Sequence, residues 1–153
     1  MARTLWLLRH GDAETPGSGD DFARRLTARG EREADAAGRA LARMGVHFEQ
    51  VFSSPRVRAR DTALLACSHL GAAPEILDAL AGGFGERDAA ELVAATSGDA
   101  ELLLVGHEPD LSNVVGALTG ARVGLQKGGL AAIGGRTLLV LLGPREIELI
   151  AGL

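Results

Sequence analysis

Short apolar runs that stop at polar turns recur along the chain and predict buried strands. The run 4–8 stops at Arg9, and the run 101–105 stops at Gly106. Continuous apolar runs of this length are typical of strands that are covered on both faces of a parallel sheet. Two shorter strand candidates complete this pattern, one that ends at Phe52 and one over residues 75–77.

Helices are predicted between these strands. The first begins after Thr27, whose hydroxyl can cap it, and ends at Gly45. The second is capped by Ser53 or Ser54, has a proline in its first turn and runs to about Leu70. Each helix therefore follows a strand, as in a layered α/β protein.

The rest of the chain continues the alternation of strands and helices and then ends in consecutive strands. A weakly amphipathic helix covers residues 87–96, and Pro109 fits the first turn of a helix with one apolar face. Residues 130–133 and 137–142 predict a hairpin, and residues 145–150 predict a further strand. The whole pattern predicts an α/β three-layer sandwich with a mostly parallel central sheet and antiparallel C-terminal strands.

Composition narrows the class of protein. The chain has 153 residues, 46% hydrophobic and 24% charged, which suits one domain over residues 1–153 and excludes a disordered chain. Aromatic residues make up only 3%, and Lys127 is the single lysine, which disfavours a nucleic-acid partner. Because Cys67 is the single cysteine, we expect a reducing, cytoplasmic setting. No apolar run is long enough to span a membrane, so we expect no membrane partner.

Charge is distributed unevenly along the chain. Residues 1–60 carry 11 basic and 8 acidic side chains, whereas residues 61–153 carry 5 basic and 12 acidic ones. This difference favours an anionic ligand for the first part. A general preference for arginine over lysine is the alternative, and composition leaves it open.

A polar, glycine-containing stretch over residues 12–25 separates the first predicted strand from the first helix. It is long enough to form a mobile loop beside an active site. We expect Arg24 and Arg56 to be mostly solvated, with Arg24 able to steer an acidic partner.

Three polar clusters stand where a predicted strand gives way to a loop or a helix. Because the carboxyl ends of parallel strands share one edge of a sheet, we expect these clusters to converge on one crevice. Arginine binds phosphate oxygens through two parallel hydrogen bonds and keeps its charge, so the crevice suits a phosphoryl group. The clusters are Arg9-His10-Gly11, Arg56-Val57-Arg58 and Gly106-His107.

The two imidazoles have distinct predicted uses. One imidazole, neutral and in line with a phosphorus held by arginines, can accept the phosphoryl group and later yield it to water. The second imidazole, charged, can donate hydrogen bonds to the equatorial oxygens. Gly11 leaves room for the backbone to pass close to the ligand. The scheme requires neither a metal ion nor another cofactor.

A metal site is the competing interpretation of the same histidines. Together with Asp12, Glu108 and Asp110, His10 and His107 could supply imidazole and carboxylate ligands. The neighbouring arginines would repel a cation, so we rank a metal well below a phosphoryl group.

Four segments of this chain resemble the motifs of the histidine phosphatase superfamily. They occur in the family's order and spacing and extend from Leu8 to about Leu118. The segments are Leu8-Arg9-His10-Gly11-Asp12-Ala13, Leu26-Thr27-x-x-Gly30, Ser54-Pro55-x-x-Arg58-Ala59-x-x-Thr62-Ala63 and Val105-Gly106-His107-Glu108-Pro109.

The resemblance implies a phosphoglycerate mutase-like fold and a phosphatase. The short length and the residues after the glycine look most like the small SixA-type phosphohistidine phosphatases. This implies that His10 is the phosphorylated nucleophile and that Arg9, Arg58 and His107 form the phosphate pocket. It also implies a phosphorylated partner protein, such as a histidine phosphotransfer domain or a phosphocarrier.

The chain departs from the family pattern at two points. Asp61 stands where the family usually has glutamine. Larger members also place a carboxylate proton donor in the middle of the chain, and here Asp78, Glu86 and Asp88 are candidates without a recognisable motif. Imidazole leaves a phosphoramidate with less help from an acid than an alkoxide needs, which favours phosphohistidine as substrate.

Two other functions stay open at this point. One is hydrolysis of a small phosphate ester, such as a sugar phosphate or a nucleotide-derived phosphate, which predicts a carboxylate from residues 78–91 near His10. The other is a phosphate- or phosphoprotein-binding module without catalysis, for which His10→Ala would leave function intact.

Overall fold

The computed structural model of the protein describes residues 3–17, 19–96, 99 and 101–153. Six strands of this part of the chain form one sheet. They are β1 (Thr4–Arg9), β2 (Phe48–Ser53), β3 (Pro74–Ile76), β4 (Glu101–Gly106), β5 (Leu130–Gly134) and β6 (Thr137–Leu142).

The strand order is β3-β2-β4-β1-β5-β6. The first four strands in this order run parallel to one another, β5 is antiparallel to β1, and β6 is antiparallel to β5. The predicted hairpin and the mostly parallel sheet are therefore confirmed. The carboxyl ends of β1, β2 and β4 lie side by side, so the residues that follow these strands meet at one edge of the sheet.

Helices cover both faces of the sheet and complete the predicted three-layer α/β sandwich. One apolar core lies between the sheet and α1, α2 and α5, and the other lies beneath α3 and α4. None of the described helices is long and apolar enough to cross a membrane. The helices are α1 (Ala28–Arg43), α2 (Val57–Cys67), α3 (Glu86–Ala95), α4 (Asp110–Thr119) and α5 (Pro144–Ala151).

The predicted strand over residues 145–150 is wrong, because this segment forms α5. Pro144 occupies the first turn, and the Glu146 carboxylate accepts the backbone N–H of Gly143 at 3.1 Å. Ile147 and Ala151, one helical turn apart, are buried against the core. A short segment of mixed apolar and polar residues suits either period, and here packing on α1 selects the helix.

The starts of α1 and α2 differ in how well the sequence predicted them. The Thr27 hydroxyl accepts the N–H of Gly30 at 3.1 Å, which confirms the predicted cap of α1. At α2 the capping position is Arg56, without a side-chain cap, and the helix ends at Cys67. The predicted cap by Ser53 or Ser54 is therefore wrong, and Ser54 is free for another role.

Two glycines allow the chain to cross itself beside the end of β1. A Cβ on Gly11 would lie 2.5 Å from the carbonyl oxygen of Gly30, and a Cβ on Gly30 would clash with the backbone of Asp12. The first turn of α1 therefore rests directly on the backbone that follows His10.

Candidate active site

His10 lies directly beyond β1 and is held by backbone hydrogen bonds on both sides. Its N–H donates to the carbonyl of Gly106 at 3.1 Å, and its carbonyl accepts the N–H of Gly128 at 2.9 Å. The ring Nδ1 lies 2.7 Å from the carbonyl oxygen of Gly11. Because a carbonyl can only accept, Nδ1 carries the proton and Nε2 keeps its lone pair.

His107 lies directly beyond β4, with its ring centroid 5.2 Å from that of His10. Its Nε2 is 2.7 Å from the Ser54 hydroxyl oxygen, which also accepts the N–H of Arg56 at 3.1 Å. The Ser54 hydroxyl can therefore donate to Nε2, which leaves the proton of His107 on Nδ1. Sequence reasoning missed this role of Ser54, although the residue belongs to one of the four motifs.

Both histidines are neutral in the folded protein at pH 7. Burial lowers the pKa of His10 to about 4, opposed by the hydrogen bond to Gly11 and reinforced by the charge of Arg58. Burial also lowers the pKa of His107 to about 3, with His10 as the next cause. The positive charge expected on the second imidazole during phosphoryl transfer therefore stays a prediction. A bound dianion would raise that pKa again.

Arg9 reaches the site from the last position of β1. Its Nη1 donates to the carbonyl of Leu125 at 2.9 Å. The N–H of Leu125 in turn donates to the hydroxyl of Ser112 at 3.1 Å, and that hydroxyl contacts the carboxylate of Glu108. A chain of hydrogen bonds thus connects Glu108, which follows His107, to Arg9, which precedes His10.

Arg58 lies in the first turn of α2, and its side chain is buried. Its Nη1 donates to the carbonyl of Asp21 at 2.8 Å, and its Nη2 lies 3.3 Å from the carboxylate of the same residue. Burial lowers the pKa of the guanidinium from its ordinary value, and the nearby charge of Arg24 adds to this effect. Arginine nevertheless remains protonated at any working pH.

Three buried donors of these side chains have no hydrogen-bond partner. Among the described residues, the buried side-chain nitrogens and oxygens without one are Arg9 Nε, Arg58 Nε and His107 Nδ1. A buried donor without an acceptor costs about 1–3 kcal/mol, so three such donors in one crevice indicate a binding site for an anion.

Thr62 connects the motif of His10 to the motif of Arg58. Its hydroxyl accepts the N–H of Gly11 at 3.1 Å and donates to the carbonyl of Arg58 at 2.7 Å. The N–H of Gly11 is therefore already engaged, and the space beside Gly11 is filled by Gly30. Close approach of the chain to itself thus explains this glycine, in place of the expected room for a ligand.

In the described part of the chain, the candidate proton donors form no hydrogen bond with the histidines and arginines of this site. Asp78 and Glu86 are exposed, and Asp88 accepts the N–H of Gly85 at the start of α3 at 2.9 Å. Within the described residues, none of the three has a hydrogen bond or an ion pair with the two histidines, Arg9 or Arg58. The carboxylate that does reach the site belongs to Asp21, which sequence reasoning missed.

Asp21 lies within the polar stretch 12–25, of which Ser18 is outside the described residues. The stretch is tied at its base, where Ala13 pairs with Leu26, and Asp21 itself starts a short 3-10 turn over Asp21–Ala23. The sequence did contain a signal for an ion pair of Asp21. An aspartate three residues before an arginine, here Arg24, predicts a local ion pair.

The carboxylates considered as metal ligands have other partners. Asp12 accepts the hydroxyl of Thr27 at 2.8 Å and lies 3.2 Å from the ammonium of Lys127. Asp110 accepts the N–H of Gly83 at 2.9 Å. Glu108 bonds Ser112, as described above.

A scan against protein-family models matches residues 5–92 to the histidine phosphatase superfamily, branch 1. Among curated proteins, an uncharacterized protein of Picosynechococcus sp. PCC 7002 is 36% identical over 137 residues, which cover 84% of this chain and 83% of that protein. The mitochondrial serine/threonine-protein phosphatase Pgam5 of Drosophila melanogaster is 37% identical over 62 residues, 40% of this chain and 21% of that protein.

Solved structures extend the similarity to nearly the whole chain. A SixA protein of Nakamurella is 29% identical with a TM-score of 0.80, over 94% of this chain and 97% of that chain. The protein histidine phosphatase SixA complexed with tungstate has the same fold at a TM-score of 0.83 and 24% identity, over 94% and 99% of the two chains. A protein of Escherichia coli K-12 described as an alpha-ribazole-5′-phosphate phosphatase is 26% identical, with a TM-score of 0.70 over 94% and 98%.

The family model covers more than half of the chain, and His10 and Arg58 lie within the matched residues. The chain therefore belongs to the histidine phosphatase superfamily, branch 1, and is a phosphatase.

Proposed function

We propose that this phosphatase removes the phosphoryl group from phosphohistidine on a partner protein, with His10 as the nucleophile. The observation that carries the proposal is the set of three buried donors without partners, Arg9 Nε, Arg58 Nε and His107 Nδ1, whose residues lie at the same edge of the sheet as His10. Three donors suit the three equatorial oxygens of a phosphoryl group in transfer. A non-catalytic anion site would have no need of a lone pair on His10 Nε2.

The reaction proceeds in two displacements. His10 Nε2 attacks phosphorus, the P–N bond to the substrate imidazole breaks, and that imidazole leaves with the bonding electron pair and takes up a proton from solvent. A water molecule then attacks the phosphorus of phospho-His10. The P–N bond to His10 breaks, inorganic phosphate departs, and the proton of water ends on phosphate or solvent. The three donors stabilise the equatorial oxygens in both steps.

Two observations support phosphohistidine over a phosphate ester. The carboxylate that reaches the site, Asp21, is ionised at neutral pH, because the hydrogen bond from Arg24 lowers its pKa. It is therefore a poor acid for an alkoxide leaving group, whereas imidazole needs less protonation. The similarity to the SixA protein of Nakamurella points in the same direction.

The partner in this proposal is a phosphorylated protein of the histidine phosphotransfer or phosphocarrier type. A cytoplasmic location belongs to the same proposal, because the single cysteine, Cys67, can form no disulfide within this chain. Cys67 is buried, and burial raises the pKa of its thiol to about 11. Such a thiol is poorly reactive and fits a structural position in the core.

The first experiment tests the intermediate. Purified protein is incubated with a ³²P-labelled phosphohistidine protein, quenched in alkali and examined for label on His10 by mass spectrometry. We expect acid-labile, alkali-stable label on the wild type and none on His10→Ala, whose turnover should fall by more than about a thousandfold. Turnover by His10→Ala at the wild-type rate would contradict the proposal and favour the binding module.

The second experiment tests the substrate class. The similarity to the E. coli phosphatase makes a small ester the competing substrate. A phosphohistidine protein and a panel of sugar and nucleoside phosphates are assayed side by side, with EDTA present in a parallel series. We expect higher kcat/KM on the phosphohistidine protein and equal rates with and without the chelator. Faster turnover of an ester would replace the substrate in this proposal but leave the role of His10 intact.

A further inference from the structure

One carboxylate, that of Asp21, gathers three guanidinium groups beside the proposed phosphoryl site. Its Oδ1 accepts the Nε–H of Arg24 at 2.8 Å, and its Oδ2 accepts from Arg56 Nη1 at 2.9 Å and from Arg58 Nη2 at 3.3 Å. The backbone carbonyl of Asp21 adds a fourth bond, from Arg58 Nη1 at 2.8 Å.

These bonds occupy one particular edge of Arg58. A guanidinium can bind an oxyanion end-on, through its two terminal nitrogens. It can also bind side-on, through Nε and one terminal nitrogen. Asp21 takes both terminal nitrogens of Arg58, and Nε is left buried and without a partner. The side edge is therefore the one that can face a phosphoryl group.

We propose that Asp21 is a positioning residue that holds the guanidinium of Arg58 so that its Nε edge faces the transferring phosphoryl group. This inference rests on the proposed function, because it assigns Arg58 to that group. The transition state needs the donor in place before charge develops, so the main effect of Asp21 is on the rate of transfer at saturating substrate.

The segment that carries Asp21 is itself anchored, as a positioning role requires. Asp20 caps the 3-10 turn by accepting the N–H of Phe22 at 3.0 Å. Arg24 Nη1 donates to the carbonyl of Glu14 at 2.7 Å, and Arg56 Nε donates to the carbonyl of Ala81 at 2.8 Å. The two flanking arginines thus tie Asp21 to the base of its own loop and to the 3-10 turn that follows β3.

Two other roles for Asp21 predict different kinetics. A carboxylate that merely balances positive charge would repel the substrate phosphate, so its removal would lower KM and leave kcat unchanged. A carboxylate that blocks the site would raise activity when removed. The unpartnered state of Arg9 Nε and His107 Nδ1 argues against a block, because Asp21 bonds neither donor.

The test compares Asp21→Asn and Asp21→Ala with Asp35→Asn as the matched control. Asp35 of α1 is also an ion-paired carboxylate, which is bonded to Arg39 at 2.8 Å and to His69 at 2.6 Å. We expect kcat on the phosphohistidine protein and on para-nitrophenyl phosphate to fall about ten- to a hundredfold in both Asp21 variants, with a smaller change in KM. Asp21→Glu should recover part of kcat, and Asp35→Asn should match the wild type.

Side-chain NMR gives a second measurement that does not require turnover. In ¹⁵N–¹H spectra, with Arg58→Lys for assignment, the Nη2 proton of Arg58 that faces the Asp21 carboxylate should be resolved in the wild type and in Asp35→Asn and lost in Asp21→Ala. The Nη1 proton bonded to the backbone carbonyl of residue 21 is retained in that variant and serves as an internal reference. Unchanged or raised kcat, a lower KM at unchanged kcat, or an unchanged Nη2 signal of Arg58 would overturn the inference. A wild type that hydrolyses neither substrate would instead overturn the proposed function, and the NMR measurement would still decide whether Asp21 holds Arg58.

Discussion

Thr62 illustrates how single side chains align this site. Its hydroxyl accepts the N–H of the residue that follows His10 and donates to the carbonyl of Arg58. One oxygen therefore connects the backbone beside the proposed nucleophile to the backbone of an arginine of the proposed phosphate pocket. Thr62 is fully buried, so no water can replace it readily.

Thr62→Val should lower both activity and stability. Valine keeps the shape and removes both hydrogen bonds, which leaves a buried N–H unpaired and should cost about 1–3 kcal/mol of unfolding free energy. The matched control is Thr119→Val, because Thr119 also donates to the carbonyl four residues earlier and accepts a backbone N–H, that of Ala121. We expect kcat to fall only in Thr62→Val. Equal activities in the two variants, with urea unfolding in parallel, would show that Thr62 is merely structural.

At the scale of elements, α1 and α2 approach unusually closely at Gly38. A Cβ on this residue would clash with the backbone of Ala66, since the carbonyl oxygen lies directly over the glycine. The small buried residues of the two helices share this contact, among them Ala37, Ala59 and Ala63. The start of α2 carries Arg58, so this packing also helps to place the proposed phosphate pocket.

Gly38→Ala should destabilise the protein although alanine is the better helix former. Overpacking of this kind costs about 1–3 kcal/mol, more than the gain in helix propensity. Gly116→Ala in α4 is the control, since its new Cβ would meet only an ordinary contact of 3.5 Å with the carbonyl of Ala121. That variant should gain about 1 kcal/mol in urea unfolding. A stabilised Gly38→Ala would show that the two helices can separate at no cost.

At the scale of the whole molecule, the two buried histidines make stability depend on pH. Their pKa values in the folded state, about 4 for His10 and about 3 for His107, lie below the ordinary value of 6.5. The unfolded chain therefore binds protons that the folded chain excludes. The part of the unfolding free energy that depends on these two histidines is fully present above about pH 6.5. It is lost as the pH falls through the folded-state values, about 4 for His10 and about 3 for His107.

His107→Asn should flatten this dependence. Between pH 7 and pH 4.5 the wild type should lose roughly 2 kcal/mol more unfolding free energy than this variant, because a pKa unit corresponds to about 1.4 kcal/mol. His47→Asn, at an exposed position after α1, is the control and should follow the wild-type curve. Parallel curves for the wild type and His107→Asn would contradict the lowered pKa of His107. Chemical denaturation at a series of pH values measures all three.

Much of the fold was predictable because its signals are local. The apolar runs of β1 and β4 and the Thr27 cap of α1 are each signals contained within a few consecutive residues, and the structure confirms them. The segment 145–150 was mispredicted because six residues of mixed character fit two periods, and only burial of Ile147 against α1 decides between them.

The candidate site divides in the same way. His10, His107, Arg9 and Arg58 stand at strand ends and a helix start, positions that topology alone brings to one edge of the sheet. Three partners that orient them come from distant segments, namely Ser54 for His107, Leu125 for Arg9 and Asp21 for Arg58. No local spacing relates these partners to the residues they hold.

The sequence by itself determined the layered α/β architecture, the family and the chemical types gathered at the site. These properties follow from periodicity and from short motifs, in which the interacting residues are near neighbours in the chain. Only the tertiary structure decided the protonation of the two histidines, the edge that Arg58 presents and the carboxylate beside it. Burial and the direction of these hydrogen bonds depend on contacts between segments that are about 30 to 120 residues apart in the chain. Such contacts exist only after folding has brought the segments together.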